Sequence, residues 1–339
     1  MKKITSVLLC ILLMLSYSFY AFASGELDGV ISDASCYIID TVHEPTVSSI
    51  GGEWSVIGLA GAKGVNSDTY IEKYYKNAEE YIKNCGGVLH KRKYTEYARV
   101  ILGLISIGEN PENIEGYNIT LPLLDYDNTI KQGLNGPIWA LIALNSGNYG
   151  DEHIKEKYVE RILSSELSGG GFALSSSEEN ADVDITSMAL IALSAYNDRE
   201  EVKTVTERAL ARLSSMQNDT GGFSNYGIEN SESTSQVIMA LTALGISHDD
   251  SRFVKNGVGL LDNLLSYHID GSGFSHVKGE EVNLMATEQA LCALVAVKHM
   301  ENGESHIYDT ASNYEKYSDH KFEKIAKSIY NMLKETGII

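Results

Sequence analysis

Short stretches of small and apolar residues recur along the chain and alternate with longer, more polar stretches. Each apolar stretch ends in a leucine, and the set is Leu59, Leu102, Leu144, Leu193, Leu241 and Leu294. Successive leucines lie 43, 42, 49, 48 and 53 residues apart, which is the period of a repeat architecture. A small residue precedes most of them, namely Gly58, Ala143, Ala192, Ala240 and Ala293. The apolar stretches are therefore predicted to be inner helices that approach one another closely.

The polar stretches between them keep their apolar residues at helical spacing, so they are predicted to be outer helices with one buried face. Helices are expected near Asp33–Thr46, Ser67–Asn84, Tyr94–Ile107, Tyr126–Lys131, Glu152–Ser165, Asp184–Tyr196, Glu200–Met216, Glu232–Leu244, Asp250–Tyr267 and Leu284–His299. A final amphipathic helix is expected at Lys321–Lys334. No strand-like alternation is sustained. The sequence thus predicts an all-α fold, an (α/α)6 toroid of six inner and six outer helices with a closing C-terminal helix.

The first 23 residues are predicted to be a signal peptide rather than part of the fold. Lys2 and Lys3 precede an apolar run, and Ala21-Phe22-Ala23 has the pattern of a cleavage site. A single membrane anchor is the alternative, because the run is nearly long enough to span a bilayer. Cleavage after Ala23 would leave one domain, residues 24–339, and a secreted, extracellular protein.

The net charge and the cysteine content indicate which classes of partner and cofactor are expected. The net charge of −19 argues against nucleic acid and anionic membranes as partners. Cys36, Cys85 and Cys292 remain after cleavage, without the Cys/His spacing of a zinc site. A Cys36–Cys85 disulfide and three buried thiols are both open interpretations. No metal and no cofactor are expected.

One turn carries a family resemblance. Residues 217–223, Gln-Asn-Asp-Thr-Gly-Gly-Phe, resemble the Q-x-x-x-G-x-W/F turn of squalene–hopene cyclases, while Glu166 and His268 replace the glutamine in two further copies. With the six-fold repeat, the chain resembles the terpenoid cyclase/protein prenyltransferase α/α-toroid superfamily, and within it the secreted bacterial prenyltransferase/squalene-oxidase repeat proteins. The resemblance implies the toroid fold. It implies no single activity, because the superfold hosts several functions.

The residue five positions before each aligned leucine is predicted to face the central cavity near the helix N-termini. This set is Trp54, Tyr97, Trp139, Met188, Gln236 and Gln289. Aromatic, thioether and amide groups suit a flat or apolar ligand with a few hydrogen-bonding edges. Carboxylates one position earlier, Glu53, Glu96 and Glu288, are expected at the same mouth, where they also complement the helix dipole. The alternative is that these side chains simply fill the barrel.

Residues 182–186, Asp-Val-Asp-Ile-Thr, resemble the D-x-D-D-T motif of class II terpene cyclases. The resemblance implies that Asp184 is a general acid and Asp182 its partner. Ile185 departs from the motif where the family has its third aspartate, and the alternative is that Asp182 and Asp184 cap an inner helix. The Asp-x-Cys of zinc-dependent prenyltransferases is absent from the sequence.

These observations favour a secreted, non-catalytic toroid that binds a small apolar or aromatic ligand, or an extracellular protein or polysaccharide, at the inner-helix mouth. Two alternatives stay open. One is a class II terpene cyclase-like enzyme that uses Asp184, and the other is a cell-surface interaction module with a plugged barrel.

Overall fold

The computed structural model describes residues 25, 27–175 and 177–309. The predicted signal peptide and the predicted helix Lys321–Lys334 lie outside the described residues. Within these ranges, no helix is both long and apolar enough to cross a membrane.

Two sets of helices alternate along the chain. The inner set is α2 (Glu53–Gly61), α4 (Thr95–Ser106), α6 (Asn135–Ser146), α8 (Val183–Leu193), α10 (Ser231–Ala243) and α12 (Leu284–Glu301). The outer set is α1 (27–41), α3 (Asp68–Asn84), α5 (Tyr126–Thr129), α7 (Glu152–Leu163), α9 (Glu200–Met216) and α11 (Leu260–Leu265). Each inner helix packs on the next, and α12 packs on α2, so the ring is closed. The predicted all-α toroid of six inner and six outer helices is confirmed.

Small residues allow this close approach. A Cβ added to Gly58 on α2 would lie 2.9 Å from the side chain of Leu291 on α12, so the helices that close the ring meet at a glycine. The outer helices α3, α7 and α9 instead bury one face and leave the opposite face polar. The two layers therefore bury each other's apolar surface, which neither could do alone.

Three local elements differ from the sequence prediction. The first helix covers 27–41 instead of Asp33–Thr46. The expected outer helix Asp250–Tyr267 is broken into a 3₁₀ turn at Ser251–Phe253 and the short α11, because Asn256 and Gly257 adopt positive φ in a tight turn. A two-stranded hairpin, β1 (Phe223–Asn225) and β2 (Ile228–Asn230), precedes α10.

The chain turns back into the ring after α12. Ile307 and Tyr308 are buried, and the Tyr308 ring lies 6.1 Å from Trp54 and 6.0 Å from Trp139, measured between ring centroids. Tyr308 lines two cavities, one of about 310 Å³ at the N-terminal ends of the inner helices and one of about 380 Å³ at their C-terminal ends. The middle of the barrel is therefore filled by residues that follow α12, while its N-terminal mouth is open.

Candidate functional site

The candidate site is the cavity at the N-terminal mouth, because all six inner helices contribute to it. Its volume is about 310 Å³, near the lower end of the range for small-molecule sites, roughly 300–1,000 Å³. Its lining consists of Trp54, Thr95, Glu96, Arg99, Asn135, Trp139, Asp184, Met188, Gln236, Met239, Gln289, Cys292 and Tyr308.

One wall of the cavity is aromatic. The rings of Trp54 and Trp139 lie 5.1 Å apart at an interplanar angle of 47°. The Tyr308 ring packs against both, with its centroid 6.1 Å from that of Trp54 and 6.0 Å from that of Trp139. These separations are typical of favourable aromatic pairs. Trp54 and Trp139 are also the only two tryptophans in the sequence. Every tryptophan of this chain therefore lines the same cavity.

Polar side chains, together with Met188, Met239 and Cys292, line the rest of the cavity. The side-chain amide of Gln236 donates to Oε1 of Gln289 at 3.2 Å, which joins α10 to α12. The guanidinium of Arg99 donates to Oε2 of Glu96 at 2.8 Å, and its Nε lies 3.4 Å from Oε2 of Glu53. The cavity thus offers amide and charged groups as well as an aromatic surface, and the Glu96–Arg99 pair lies on the helix between those of the two tryptophans.

Asp182 and Asp184 occupy different environments. Asp182 is the N-cap of α8, and its Oδ1 accepts the backbone N–H of Ile185 at 2.9 Å. Asp184 lines the cavity, and its Oδ2 accepts the side-chain amide of Asn225 at 2.6 Å. The other oxygen, Oδ1, has no hydrogen-bond partner within the described part of the chain.

Burial raises the pKa of Asp184 above its ordinary value. The Asn225 amide opposes this shift, and the nearby charge of Asp182 adds to it. The Asp184 carboxyl therefore keeps its proton to a higher pH than an exposed aspartate does. A partly buried carboxyl with a raised pKa beside aromatic rings is suited to donate a proton.

Of the set predicted to face the cavity, five residues line the mouth, namely Trp54, Trp139, Met188, Gln236 and Gln289. Tyr97 is the exception. It is buried outside the cavity, where its hydroxyl contacts the backbone of Leu89 and His90.

Arg99 takes the place that Tyr97 was predicted to fill. Helix α4 is aligned correctly on Leu104 instead of Leu102, and Arg99 is then the residue five positions earlier. The signal was present in the sequence, since Gly103 is the small residue that precedes Leu104. A Cβ on Gly103 would lie 3.0 Å from the Tyr74 hydroxyl, so this glycine is the point of close packing.

Of the three predicted carboxylates, Glu96 lines the mouth but Glu53 and Glu288 do not. Glu53 is fully buried and accepts hydrogen bonds from the Tyr74 hydroxyl and the Ser48 N–H. Glu288 accepts the Gly51 N–H at 3.0 Å and the Ser55 hydroxyl at 2.8 Å. Both therefore join neighbouring elements behind the cavity, which corrects their placement at the mouth.

One cysteine, Cys292, lines the site. Cys36 is exposed, Cys85 is half-buried and Cys292 is buried, and all three are free thiols, so the Cys36–Cys85 disulfide is not formed. In the described ranges, no three His, Cys, Asp or Glu side chains come together as a metal site. Burial raises the pKa of the Cys292 thiol, which keeps it protonated.

Other residues of the mouth were not predicted from the sequence. Thr95, Asn135 and Met239 lie on inner helices at positions other than the fifth before the aligned leucine, and Tyr308 belongs to the segment that re-enters the ring. The helical period places Thr95 on the face of Arg99, Asn135 on that of Trp139 and Met239 on that of Gln236. Nothing local in the sequence indicates that Tyr308 returns to the axis.

Solved structures with the same fold include two unsaturated glucuronyl hydrolases. One is the enzyme from Bacillus sp. GL1, described as responsible for the degradation of glycosaminoglycan, with a TM-score of 0.54 and 9% identity over 83% of this chain and 98% of that chain. The other is a UGL variant with dGlcA-Glc-Rha-Glc, with a TM-score of 0.54 and 10% identity over the same shares. At such identity, the likeness shows the fold alone.

No protein of curated function matches the sequence. The family model of the prenyltransferase alpha-alpha toroid domain matches residues 126–309 and 237–339, which together cover more than half of the chain. The closed ring of inner helices and this match lead to one conclusion: the chain belongs to the prenyltransferase alpha-alpha toroid domain family.

Proposed function

We propose that this protein binds a small ring-shaped ligand in the N-terminal mouth, and that the ligand has one apolar face and hydrogen-bonding edges. A sugar ring at the end of a saccharide has this character. The observation that carries the proposal is the mixed lining, in which the Trp54–Trp139 pair supplies an aromatic surface and the Gln236–Gln289 and Glu96–Arg99 pairs supply hydrogen-bonding groups around the same cavity. Non-catalytic binding remains a prediction.

Size and polarity argue against a long hydrocarbon as the ligand. Tyr308 separates the mouth from the cavity at the C-terminal end, so a chain cannot extend along the whole axis. A hydrocarbon would also remove the Glu96–Arg99 pair and the glutamine amides from water without giving them new partners. Such burial is unfavourable. A ligand with polar edges avoids this cost.

Saccharides are the first ligands to test. The glucuronyl hydrolases of similar fold are described with a saccharide and with glycosaminoglycan degradation. That likeness guides the choice of probes, while the support for binding comes from the mouth itself. An extracellular polysaccharide would supply such rings to an exported protein.

Tryptophan fluorescence tests the proposal directly, because both tryptophans line the mouth. A saccharide that enters should change the emission intensity or maximum in a saturable manner. Trp54→Phe and Trp139→Phe each leave one reporter, and each should weaken binding by about 3- to 30-fold through loss of stacking surface.

Matched variants provide the control. Tyr37→Phe and Tyr81→Phe alter aromatic residues on the outer helices and should leave the titration unchanged. If no saccharide of a neutral, acidic or amino-sugar panel changes the emission or produces heat on mixing, the proposed function is wrong.

A second candidate function is proton donation by Asp184. The observation that favours it is the raised pKa of Asp184 in a cavity with three aromatic rings, which would stabilise a cationic intermediate. Wild-type protein and an Asp184→Asn variant would be incubated with isoprenoid alkenes and epoxides, and the products analysed by mass spectrometry. An enzyme of this kind should lose about 10²- to 10⁴-fold in rate on the substitution. Wild-type protein without turnover contradicts this candidate.

A further inference from the structure

A third cavity lies beside the mouth, outside the ring of inner helices. We call it the side cavity, and its volume is about 360 Å³. It is bounded by the segment before α6, the C-terminal part of α7 and the loop before α8. Its lining includes Gln132, Leu134, Arg161, Ser165, Leu174 and Ser175.

The two cavities are adjacent. Thr95 lines the mouth and Gln132 lines the side cavity. Their side chains are joined, because the Gln132 amide donates to Oγ1 of Thr95 at 3.1 Å, while Oε1 of Gln132 accepts the Thr95 N–H at 3.0 Å. One hydrogen-bonded pair of side chains therefore links the linings of the two cavities.

The side cavity has a defined wall. The N–H of Leu134 donates to the Leu174 carbonyl at 2.9 Å, which holds the two segments together. Gly133 lies at φ +65°, and a Cβ there would be 2.5 Å from the same carbonyl oxygen, so the approach requires glycine. The Leu174 side chain is 42% exposed and offers an apolar surface beside the polar groups.

Charge distinguishes the side cavity from the mouth. Arg161 is its charged lining residue. Within the described residues, no carboxylate lies within the 4.0 Å ion-pair limit of Arg161, although Arg99, Arg199, Arg208 and Arg252 are all paired. Glu178, whose carboxylate contacts the lining residue Ser175, accepts the Ser175 N–H at 3.0 Å. An unpaired, partly buried guanidinium in a protein of net charge −19 favours an anion.

Further cationic side chains lie close in sequence to Thr95 and Gln132, the residues that join the two cavities. Lys91, Arg92 and Lys93 are exposed directly before Thr95, and Lys131 is exposed directly before Gln132. Within the described part of the chain, none of these four pairs with a carboxylate within 4.0 Å. The side of the mouth that leads to the side cavity is thus basic.

From these contacts we propose that the side cavity is a second subsite, which binds a carboxylate-bearing sugar ring of an acidic oligosaccharide whose end occupies the mouth. The guanidinium of Arg161 would pair with the ligand carboxylate, since its planar fork matches both oxygens. Leu174 would cover the apolar face of that ring. This subsite rests on the proposed function, because it extends the same ligand.

The test uses two probes of equal length. One is tetragalacturonate, and the other is the same tetramer with its carboxylates reduced to alcohols. Binding to the full chain is measured by isothermal titration calorimetry and by tryptophan fluorescence. The proteins are wild type, Arg161→Gln, Arg161→Lys, which keeps the charge, and Lys203→Gln, which removes an exposed charge from α9.

The subsite predicts that wild type binds the acidic tetramer about tenfold more tightly than the reduced one. Arg161→Gln should abolish that preference and reduce the salt dependence of binding, without changing affinity for the reduced tetramer. Arg161→Lys should retain part of the preference, and Lys203→Gln all of it. Circular dichroism melting of each variant verifies that it is folded.

Separate outcomes distinguish the two proposals. Equal binding of both tetramers, or an acidic preference that survives Arg161→Gln, overturns the subsite while the mouth proposal stands. Arg161-dependent heat without a change in tryptophan emission would place the carboxylate in the side cavity but contradict binding in the mouth, and it would overturn the proposal that one ligand occupies both. If neither tetramer gives heat or a fluorescence change, the subsite is overturned as well.

Discussion

Glu288 is a buried carboxyl that connects the two ends of the ring. Located on α12, it accepts hydrogen bonds from the Gly51 N–H and from the Ser55 hydroxyl on α2. Burial raises its pKa from 4.5 to about 7, although both hydrogen bonds oppose the shift. Ionised Glu288 is therefore less stable in the folded protein than in the unfolded chain, where water solvates the charge.

This shift predicts a pH-dependent stability. The pKa of Glu288 is higher in the folded protein, so the folded state binds the proton more tightly than the unfolded chain does. The stabilisation by protonated Glu288 is fully present below pH 4.5. It is lost as the pH rises from 4.5 to about 7, by roughly 3 kcal/mol in the free energy of unfolding. Glu288→Gln keeps an acceptor oxygen without titrating, so its stability should fall less over this range. Urea unfolding at several pH values measures the difference.

An exposed glutamate provides the comparison. Glu281→Gln lies just before α12 and should show the same pH dependence as wild type, because its side chain is solvated in both states. Parallel pH profiles for wild type and Glu288→Gln would mean that Glu288 titrates as an ordinary carboxyl.

At the level of elements, N-caps account for the Asp and Asn residues that directly precede four of the helices. The side chains of Asp151, Asp182, Asn230 and Asn283 each accept the backbone N–H three residues later, at the starts of α7, α8, α10 and α12. Asp182 therefore repeats a role that other helices fill with asparagine. This similarity assigns Asp182 to helix capping. Of the two aspartates, only Asp184 lines the mouth.

The cap makes a specific prediction for α8. Asp182→Ala removes the acceptor for the Ile185 N–H and should lower the free energy of unfolding by about 1 kcal/mol. Asp182→Asn keeps that acceptor, so it should stay close to wild type in stability and in ligand binding. Thermal melting and the fluorescence titration provide both measurements. A loss of ligand binding in Asp182→Asn with normal stability would assign Asp182 a direct role at the mouth.

At the scale of the whole molecule, the ring is closed by contacts between its first and last inner helices. Helix α12 packs on α2, and the residues that follow α12 bring Tyr308 to the axis beside Trp54 and Trp139. The floor of the mouth therefore comes from the last described residues, and its aromatic wall from the second and sixth helices. A folded mouth requires the closed ring.

Export is the prediction for the whole chain. Cleavage after Ala23 should release a protein that begins at Ser24, because small residues at Ala21 and Ala23 suit signal peptidase. Intact-mass analysis of protein from the producing cells and their medium measures the cleavage. Ala23→Phe should keep the leader and leave the protein with the membrane fraction. Wild-type protein that retains residue 1 in the cell interior would contradict export.

The sequence by itself determined the number and order of inner helices and the cavity-facing positions on five of them, as at Trp139 and Gln289. These features are local, since the helical period fixes which residues share a face. Only the tertiary structure decided the rotation of α4, the burial of Glu288 and the return of Tyr308 to the axis. A face can turn toward the lumen or toward a neighbouring helix, and packing between distant segments selects the direction.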